Sequence, residues 1–109
     1  GSDWPVSTPD PLAAIQVGIT RREPGGDREA FLPEQALDLE TAFAAYTSGS
    51  AWVNGRGPDD DQTAGVLGTG AVADLVVLDR DPFAGPAEGV GSARVVSTWI
   101  DGDAVYRPE

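Results

Sequence analysis

The sequence predicts an α+β domain in which the helices come first and the strands follow. Two stretches with apolar residues at helical spacing occupy roughly the first half of the 109 residues. The second half contains the most apolar run of the chain, at residues 73–79, and a β-branched segment that ends in an Asp-Gly turn signal. Helices and strands that are segregated along the chain in this way are typical of the α+β class.

We expect the rest of the chain to be arranged around the apolar run at residues 73–79. Leu75–Leu78 are four consecutive branched apolar residues, and in a strand they point alternately to both faces. The glycines before the run, Asp81-Pro82 after it and its two valines favour a strand over a buried helix. A strand that is apolar on both faces is expected to be covered on both faces. This chain offers few elements that could provide such cover.

The first helix is predicted to begin after Asp10. Asp10 fits the N-cap, and Pro11 fits the first helical position, where a missing N–H is tolerated. Arg21 and Arg22 are expected in the last turn, where positive charge complements the helix dipole. The apolar stripe of this helix is Leu12, Ile15 and Ile19.

Asp38 is the expected N-cap of a second, longer helix that ends at a left-handed stop at Asn54-Gly55. Residues 33–37 are predicted to form a single helical turn before it. One face of the long helix contains residues at helical spacing, namely Leu39, Ala42, Phe43, Tyr46, Ser50 and Val53.

The C-terminal half is predicted to consist of strands and loops. Residues 65–67 are expected to form a short strand, residues 68–70 a turn, and residues 83–93 a loop without regular structure. Residues 94–100 are β-branched and aromatic and predict a strand, and Asp101-Gly102 is a strong hairpin signal. A two-residue turn there pairs Ile100 with Asp103, Trp99 with Ala104, Thr98 with Val105, and Ser97 with Tyr106.

Composition excludes several classes of function. The net charge is −11 and no lysine is present, so we expect neither a nucleic-acid nor a membrane partner. With Cys 0 and His 0, the chain can hold no disulfide, no thiolate or Ser-His-Asp chemistry and no histidine metal ligand. Any catalysis must use carboxylates or groups supplied from outside the chain. The lack of cysteine and of a membrane-length apolar run is compatible with a cytoplasmic protein.

Two long segments carry a resemblance to a known family. The chain resembles the C-terminal signature of the amidohydrolase superfamily in GVLGTGAVADLVVLD at residues 65–79 and in VVSTWIDGDAVY at residues 95–106. The opening GSDWPV and the segment AAYT at residues 44–47 narrow the resemblance to the YtcJ-like branch of metal-dependent hydrolases, which includes formamide deformylase-like enzymes. The resemblance covers essentially the whole chain in the family's order and spacing. One departure is Ala71, which stands where the family usually has a turn lysine.

The resemblance implies a parent enzyme several times longer than this chain. Such enzymes contain a (β/α)8 barrel with a metal site and a small β-sandwich built from both chain ends. Residues 1–57 would be the end of barrel strand 8 with the final barrel helices, and residues 58–109 the C-terminal part of the composite sandwich. The chain would then be the C-terminal fragment of a metal-dependent amidohydrolase that hydrolyses non-peptide, amide-type C–N bonds, and it would be inactive alone. A missing N-terminal part also agrees with the few elements available to cover the central strand.

The resemblance also implies roles for two residues near the N-terminus. The family's aspartate at the end of the eighth strand matches Asp3, which would be a metal ligand and the base that moves a proton from water to the leaving nitrogen. Trp4 would lie near the pocket mouth, against the substrate. Without the resemblance, Asp3 is a turn or capping carboxylate and Trp4 a packing residue. The cofactor would be a divalent metal, with zinc as the expected ion, bound in the parent enzyme and not in this chain alone.

Two functions of different classes stay open at the level of the sequence. The first is the amidohydrolase fragment, with the N-terminal remainder of the same protein or a self-associated copy as its partner and a small amide-type molecule as the parent's substrate. The second is a free-standing, non-catalytic β-rich module that associates with a protein partner through exposed apolar faces.

Overall fold

The structure, a computed structural model, describes residues 3–109. Helices α1 (Pro11–Thr20), α2 (Leu39–Tyr46) and α3 (Ser48–Val53) come first, and strands β1 (Leu75–Leu78), β2 (Val95–Ile100) and β3 (Asp103–Tyr106) follow, with short 3₁₀ segments at Pro33–Gln35 and Ala87–Ser92. The α+β class is therefore confirmed. None of the helices in these residues is long and apolar enough to cross a membrane.

The described chain divides into two compact units. The first unit contains residues 3–43 and 80–93, and the second contains residues 44–79 and 94–109. The connection between β1 and β2, residues 80–93, thus belongs to the first unit, whereas both strands belong to the second. The assignment of residues 1–57 to a barrel and of residues 58–109 to a sandwich stays a prediction.

Helix α1 begins as the sequence predicts and ends slightly earlier. The Asp10 carboxylate accepts hydrogen bonds from the N–H groups of Leu12 and Ala13 at 2.9 and 3.4 Å, which confirms the N-cap. Arg21 is the C-cap in a left-handed conformation (φ 56°), and its N–H donates to the Val17 carbonyl at 2.8 Å. The expected placement of Arg21 and Arg22 in the last helical turn was therefore wrong, because the left-handed residue ends the helix at Thr20.

The core of the first unit contains residues from α1, α2 and the 3₁₀ segment Ala87–Ser92, for which the sequence predicted no regular structure. Ile15, Ala42 and Val90 are buried together. Val90 belongs to the 3₁₀ segment Ala87–Ser92, so the prediction of an irregular loop over residues 83–93 was wrong. The order of this segment comes from a tertiary contact: the side-chain oxygen of buried Gln16 accepts a hydrogen bond from the Gly91 N–H at 2.7 Å. A buried amide oxygen requires such a donor.

The N-cap of α2 is confirmed. The Asp38 carboxylate accepts hydrogen bonds from the N–H and the hydroxyl of Thr41 at 2.8 and 2.7 Å. The bond from the Thr41 N–H, followed by that from its hydroxyl, lowers the pKa of Asp38 below its ordinary value. Because folding lowers this pKa, the contribution of the cap to stability is present at neutral pH and is lost as the pH falls through the lowered value.

The single long helix predicted over residues 39–53 is wrong, because the chain breaks it at Thr47 (φ −121°, ψ −95°) into α2 and α3. A Cβ added to Gly65 would lie 2.5 Å from the Thr47 carbonyl oxygen, so another part of the chain passes directly against the break. Serine and glycine, which open α3, are also weak helix formers. As a result, Val53 is exposed and does not extend a buried stripe.

Strand β1 lies at the edge of the antiparallel sheet, whose order is β1-β2-β3. Val76 and Val77 are 52% and 42% exposed, so the expected cover on both faces of this strand is not present within the described residues. Residues 65–67 form no strand, so the prediction of a short strand there was wrong. The physical reason is the left-handed backbone of Gly65 (φ 72°), which an extended strand does not accommodate.

The hairpin between β2 and β3 follows its turn signal and then departs from the predicted register. Asp101 and Gly102 both have positive φ, 51° and 82°, as a type I′ turn requires. The pairs nearest the turn, Ile100 with Asp103 and Trp99 with Ala104, are confirmed, but the register then shifts and Thr98 pairs with Tyr106.

The two outer pairs of the hairpin, Thr98 with Val105 and Ser97 with Tyr106, were therefore wrong, because one extra residue of β3 enters the ladder as a bulge. A slip of one residue turns the following side chain to the other face of the sheet. Beyond the bulge, the Cζ of Arg107 lies over the Trp99 ring, 4.5 Å from the ring centroid.

We predict that Gly91→Ala lowers the free energy of unfolding by about 1–3 kcal/mol. The added Cβ would lie 2.5 Å from the side-chain oxygen of Gln16, so this side chain must shift, and we expect its hydrogen bond to the Gly91 N–H to be lost. Gly89→Ala is the matched control, since no atom lies within 4 Å of its Cβ. Urea unfolding of both variants measures the difference. Equal stability of the two variants, or an unchanged cost of Gly91→Ala after Gln16→Ala, contradicts the prediction.

Candidate functional site

The two residues for which the resemblance implies a role, Asp3 and Trp4, lie in a turn at the start of the described chain. Asp3 has a left-handed backbone (φ 50°), and its carbonyl accepts a hydrogen bond from the Val6 N–H at 2.9 Å. Aspartate tolerates this conformation better than most residues do. Both side chains are exposed, with Trp4 at 65%. The structure thus has an exposed carboxylate and an exposed indole at consecutive positions of the chain. Gly1 and Ser2 of the opening motif lie outside the described residues.

The acidic side chains of the described residues are not gathered into a metal-binding group. Within residues 3–109, no group of three or more His, Cys, Asp or Glu side chains is placed to hold an ion, and the whole sequence has neither His nor Cys. A catalytic zinc site takes three protein ligands and an open position. Asp3 can therefore provide one ligand at most, and the other ligands would have to come from elsewhere.

Asp74 connects three segments of the second unit. One carboxylate oxygen accepts a hydrogen bond from the Asp101 N–H at 2.9 Å, and the other lies 3.3 Å from an Nη of Arg56. The neighbouring Ala73 carbonyl accepts from the Gly102 N–H at 3.1 Å. The aspartate of the Ala-Asp-Leu motif thus holds the hairpin turn, which makes it a structural residue.

Asp79 holds the opposite end of β1. Its carboxylate accepts hydrogen bonds from the backbone N–H and the Nε of Arg94 at 2.9 and 3.1 Å. Its own N–H donates to the Arg94 carbonyl at 2.9 Å. The motif therefore places one aspartate at each end of the apolar strand, and both are joined to the strand's neighbours in the sheet.

The second unit contains an open cleft of about 700 Å³. Tyr46, Ser50 and Ala51 line it on the helical side, and Leu75, Val76 and Ile100 line it on the sheet side. Arg56 and Asp74 also face the cleft. The Nε of Arg56 is buried and has no hydrogen-bond partner among the described residues. The sequence predicted neither this cleft nor the Arg56–Asp74 ion pair. The only feature of the sequence that points to the pair is the position of Asp74 directly before the apolar run.

Comparison with known proteins identifies the family. The family model described as "Amidohydrolase family" matches residues 1–106. The chain therefore belongs to the amidohydrolase family, and the resemblance stated from its motifs is confirmed. No solved structure matches the chain significantly.

Three relatives show which members of the family the chain is similar to. Protein LONG AFTER FAR-RED 3 of Arabidopsis thaliana is 32% identical over 106 residues, which are 97% of this chain and 17% of that protein. N-substituted formamide deformylase of Arthrobacter pascens is 30% identical over 105 residues, 96% of this chain and 18% of that protein. The YtcJ protein of Bacillus subtilis (strain 168) is 31% identical over 109 residues, 97% of this chain and 20% of that protein. The chain thus spans a fifth or less of the length of these relatives.

We predict that the 109-residue chain retains less than stoichiometric zinc after dialysis. The physical reason is the donor set, since Asp3 is one carboxylate and no histidine or cysteine accompanies it. Elemental analysis of the dialysed protein, with the Asp3→Ala variant as its control, measures the retained ion. One zinc per chain that is lost in the variant would show that Asp3 belongs to a complete site within this chain.

Proposed function

We propose that this chain is the C-terminal part of a metal-dependent amidohydrolase that hydrolyses a non-peptide, amide-type C–N bond in a small molecule. The observation that carries the proposal is the family match over residues 1–106. The reaction class is supported by the relative named N-substituted formamide deformylase, which is similar to 96% of the chain. Because the chain spans 17–20% of its relatives' length, the proposed active site includes parts of the protein beyond these residues, and the chain alone is inactive.

The proposed architecture follows from the two kinds of structure in the chain. Residues 1–57 would be the end of the eighth strand and the last helices of a (β/α)8 barrel, and residues 58–109 would be the C-terminal part of a β-sandwich. The helices α1 to α3 and the antiparallel sheet are compatible with this division. In such barrels the chemistry lies at the C-terminal ends of the strands, which is where the proposal puts Asp3.

In this proposal, Asp3 moves the proton of the reaction. Its carboxylate accepts a proton from the attacking water, and the protonated side chain then donates it to the leaving nitrogen, so that the amine departs neutral. A divalent metal, with zinc as the expected ion, supplies polarisation of the substrate carbonyl and activation of the water. Most of its ligands would lie outside this chain, and Asp3 would be one of them. The exposed carboxylate in the turn of Asp3 and Val6 is accessible for both roles.

Trp4 is proposed to contact the substrate at the mouth of the pocket. Trp4 is 65% exposed and follows Asp3 directly in the sequence. An aromatic ring offers a large apolar surface together with one N–H donor, which suits an amide that carries an apolar substituent.

The proposed enzyme is cytoplasmic and has neither nucleic-acid nor membrane partners. The net charge of −11 and the absence of cysteine support this part of the proposal. The alternative of a free-standing β-rich module draws no support from the comparisons, in which each relative named above is about five times longer than the chain.

We predict that Asp3→Asn in the full-length enzyme lowers the turnover number by about 10²–10⁴-fold, because an amide cannot accept the proton. Asp10→Asn is the matched control. Asp10 is another exposed aspartate near the N-terminus, it caps α1, and asparagine caps helices equally well. Steady-state kinetics, with circular dichroism to confirm the fold, decides the matter. A turnover number within a factor of about two of the wild type for Asp3→Asn would remove Asp3 from the mechanism.

A further inference from the structure

The first two turns of helix α1 are held by the connection between β1 and β2. The side chain of Gln16, a residue that is 8% exposed, accepts a hydrogen bond from the Gly91 N–H at 2.7 Å. A Cβ built on Gly91 would lie 3.6 Å from the Cα of Ala13, so the backbone of the connection passes directly against the helix. This contact therefore restrains the end of α1 that follows Asp3 in the chain.

The connection is itself fixed in the first unit and can therefore serve as an anchor. Val90 is 1% exposed and is buried in the core with residues of α1 and α2. Near the start of the connection, the ring centroids of Phe83 and Phe43 lie 5.1 Å apart, a distance at which aromatic pairs attract each other. The hydrogen bond from the Gly91 N–H adds a directional polar contact to this apolar packing.

The segment that joins Asp3 to α1 is short and stiff. Three of its positions are prolines, namely Pro5, Pro9 and Pro11. Each proline ring fixes the backbone φ at its own position and restricts the residue before it. Two hydrogen bonds add further restraint, from the Val6 N–H to the Asp3 carbonyl at 2.9 Å and from the Asp10 N–H to the Thr8 hydroxyl at 3.2 Å. A displacement of the start of α1 is therefore transmitted along this segment rather than absorbed by it.

We propose that Gln16 is a positioning residue for the carboxylate of Asp3, and that it acts through its hydrogen bond to Gly91. The inference rests on the proposed function, because it takes Asp3 as the group that moves the proton. Displacement of a reacting group by about 1 Å can lower a rate about 100-fold. The connection between two strands of the second unit thereby contributes to the rate of the reaction without contacting the substrate.

Kinetics of the full-length enzyme, with an N-substituted formamide as the substrate, test the inference. Gln16→Met keeps the length of the side chain and removes the accepting oxygen, so we expect the turnover number to fall about tenfold or more. Gln16→Glu keeps an acceptor oxygen at the same reach, and we expect it to lose less. Ser97→Ala is the matched control, because Ser97 is equally buried, at 8%, and accepts a hydrogen bond from the Nε1 of Trp99 at 3.0 Å. We expect this control to keep the turnover number of the wild type.

A double-mutant cycle separates positioning from a general loss of folded protein. Because Gln16 acts through Asp3, we expect Gln16→Met to lower the turnover number of the wild type and to have little further effect in the Asp3→Asn background. The same fold-reduction in both backgrounds would show that Gln16 only supports the fold, which overturns the inference and leaves Asp3 in the mechanism. A wild-type turnover number for Asp3→Asn would instead remove the proposed role of Asp3, and the inference with it.

Gly91→Ala perturbs the same contact from the side of the connection and serves as the test if Gln16→Met does not fold. The added Cβ would lie 2.5 Å from the Gln16 oxygen, so we expect a fall in the turnover number that disappears in the Asp3→Asn background. Gly89→Ala is the control, since no atom lies within 4 Å of its Cβ. Equal turnover numbers for the two glycine variants would overturn the inference.

Hydrogen exchange of the full-length protein measures the positioning without a substrate. The Val6 N–H donates to the Asp3 carbonyl, so its exchange rate reports on the turn that contains Asp3. We expect this rate to rise in Gln16→Met and to stay unchanged in Ser97→Ala. An unchanged rate in Gln16→Met overturns the inference. A wild-type protein that hydrolyses no amide-type bond removes the proposed reaction, and the exchange rate at Val6 then decides whether Gln16 positions Asp3.

Discussion

Two aspartates determine how β1 joins the sheet, and the second unit depends on them. Asp74 binds the backbone of the β2–β3 turn at one end of the strand, and Asp79 binds the backbone and side chain of Arg94 at the other. A strand composed only of leucine and valine gives little preference between one register and a slip of one residue, although such a slip exchanges its two faces. Polar contacts at both ends supply that preference. The aspartates of this motif thus perform an architectural task that apolar packing cannot perform in an edge strand.

The first unit solves a similar problem with a single amide. Gln16 on α1 and Gly91 are 75 residues apart in the sequence and are joined by a hydrogen bond of 2.7 Å. The absence of a side chain at position 91 leaves the space that the Gln16 oxygen occupies. This contact brings Val90 into the core with Ile15 and Ala42. Residues 80–93, which connect β1 to β2, therefore pack against α1. The sequence of this connection does not predict the packing, because its apolar residues follow neither helical nor strand spacing.

The features that the sequence predicted correctly depend on contacts between near neighbours. Asp10 and Asp38 cap helices through N–H groups two or three residues away, and Asp101-Gly102 forms its turn from its own backbone preferences. The break at Thr47, the burial of Val90 and the bulge in β3 were missed because each depends on residues that are distant in sequence or on the opposite strand. The same division holds for the sites. Asp3 could be predicted as a site residue only from the family resemblance. Arg56 could not be predicted from the sequence, because its distinguishing feature is a buried Nε that has no acceptor among the described residues.

The first unit also explains how residues far from the proposed site could influence it. Asp3 lies a few residues before Asp10, whose carboxylate begins α1. Helix α1 is held in turn by Ile15 and Gln16 against Val90 and Gly91. Proton transfer requires a carboxylate within hydrogen-bonding distance of the reacting atoms, and small displacements of a catalytic group reduce the rate strongly. Because the turn of Asp3 is itself exposed, we expect its position to depend on the anchored helix that follows. The same anchoring contact would then contribute both to the stability of the first unit and to the placement of the proposed catalytic carboxylate.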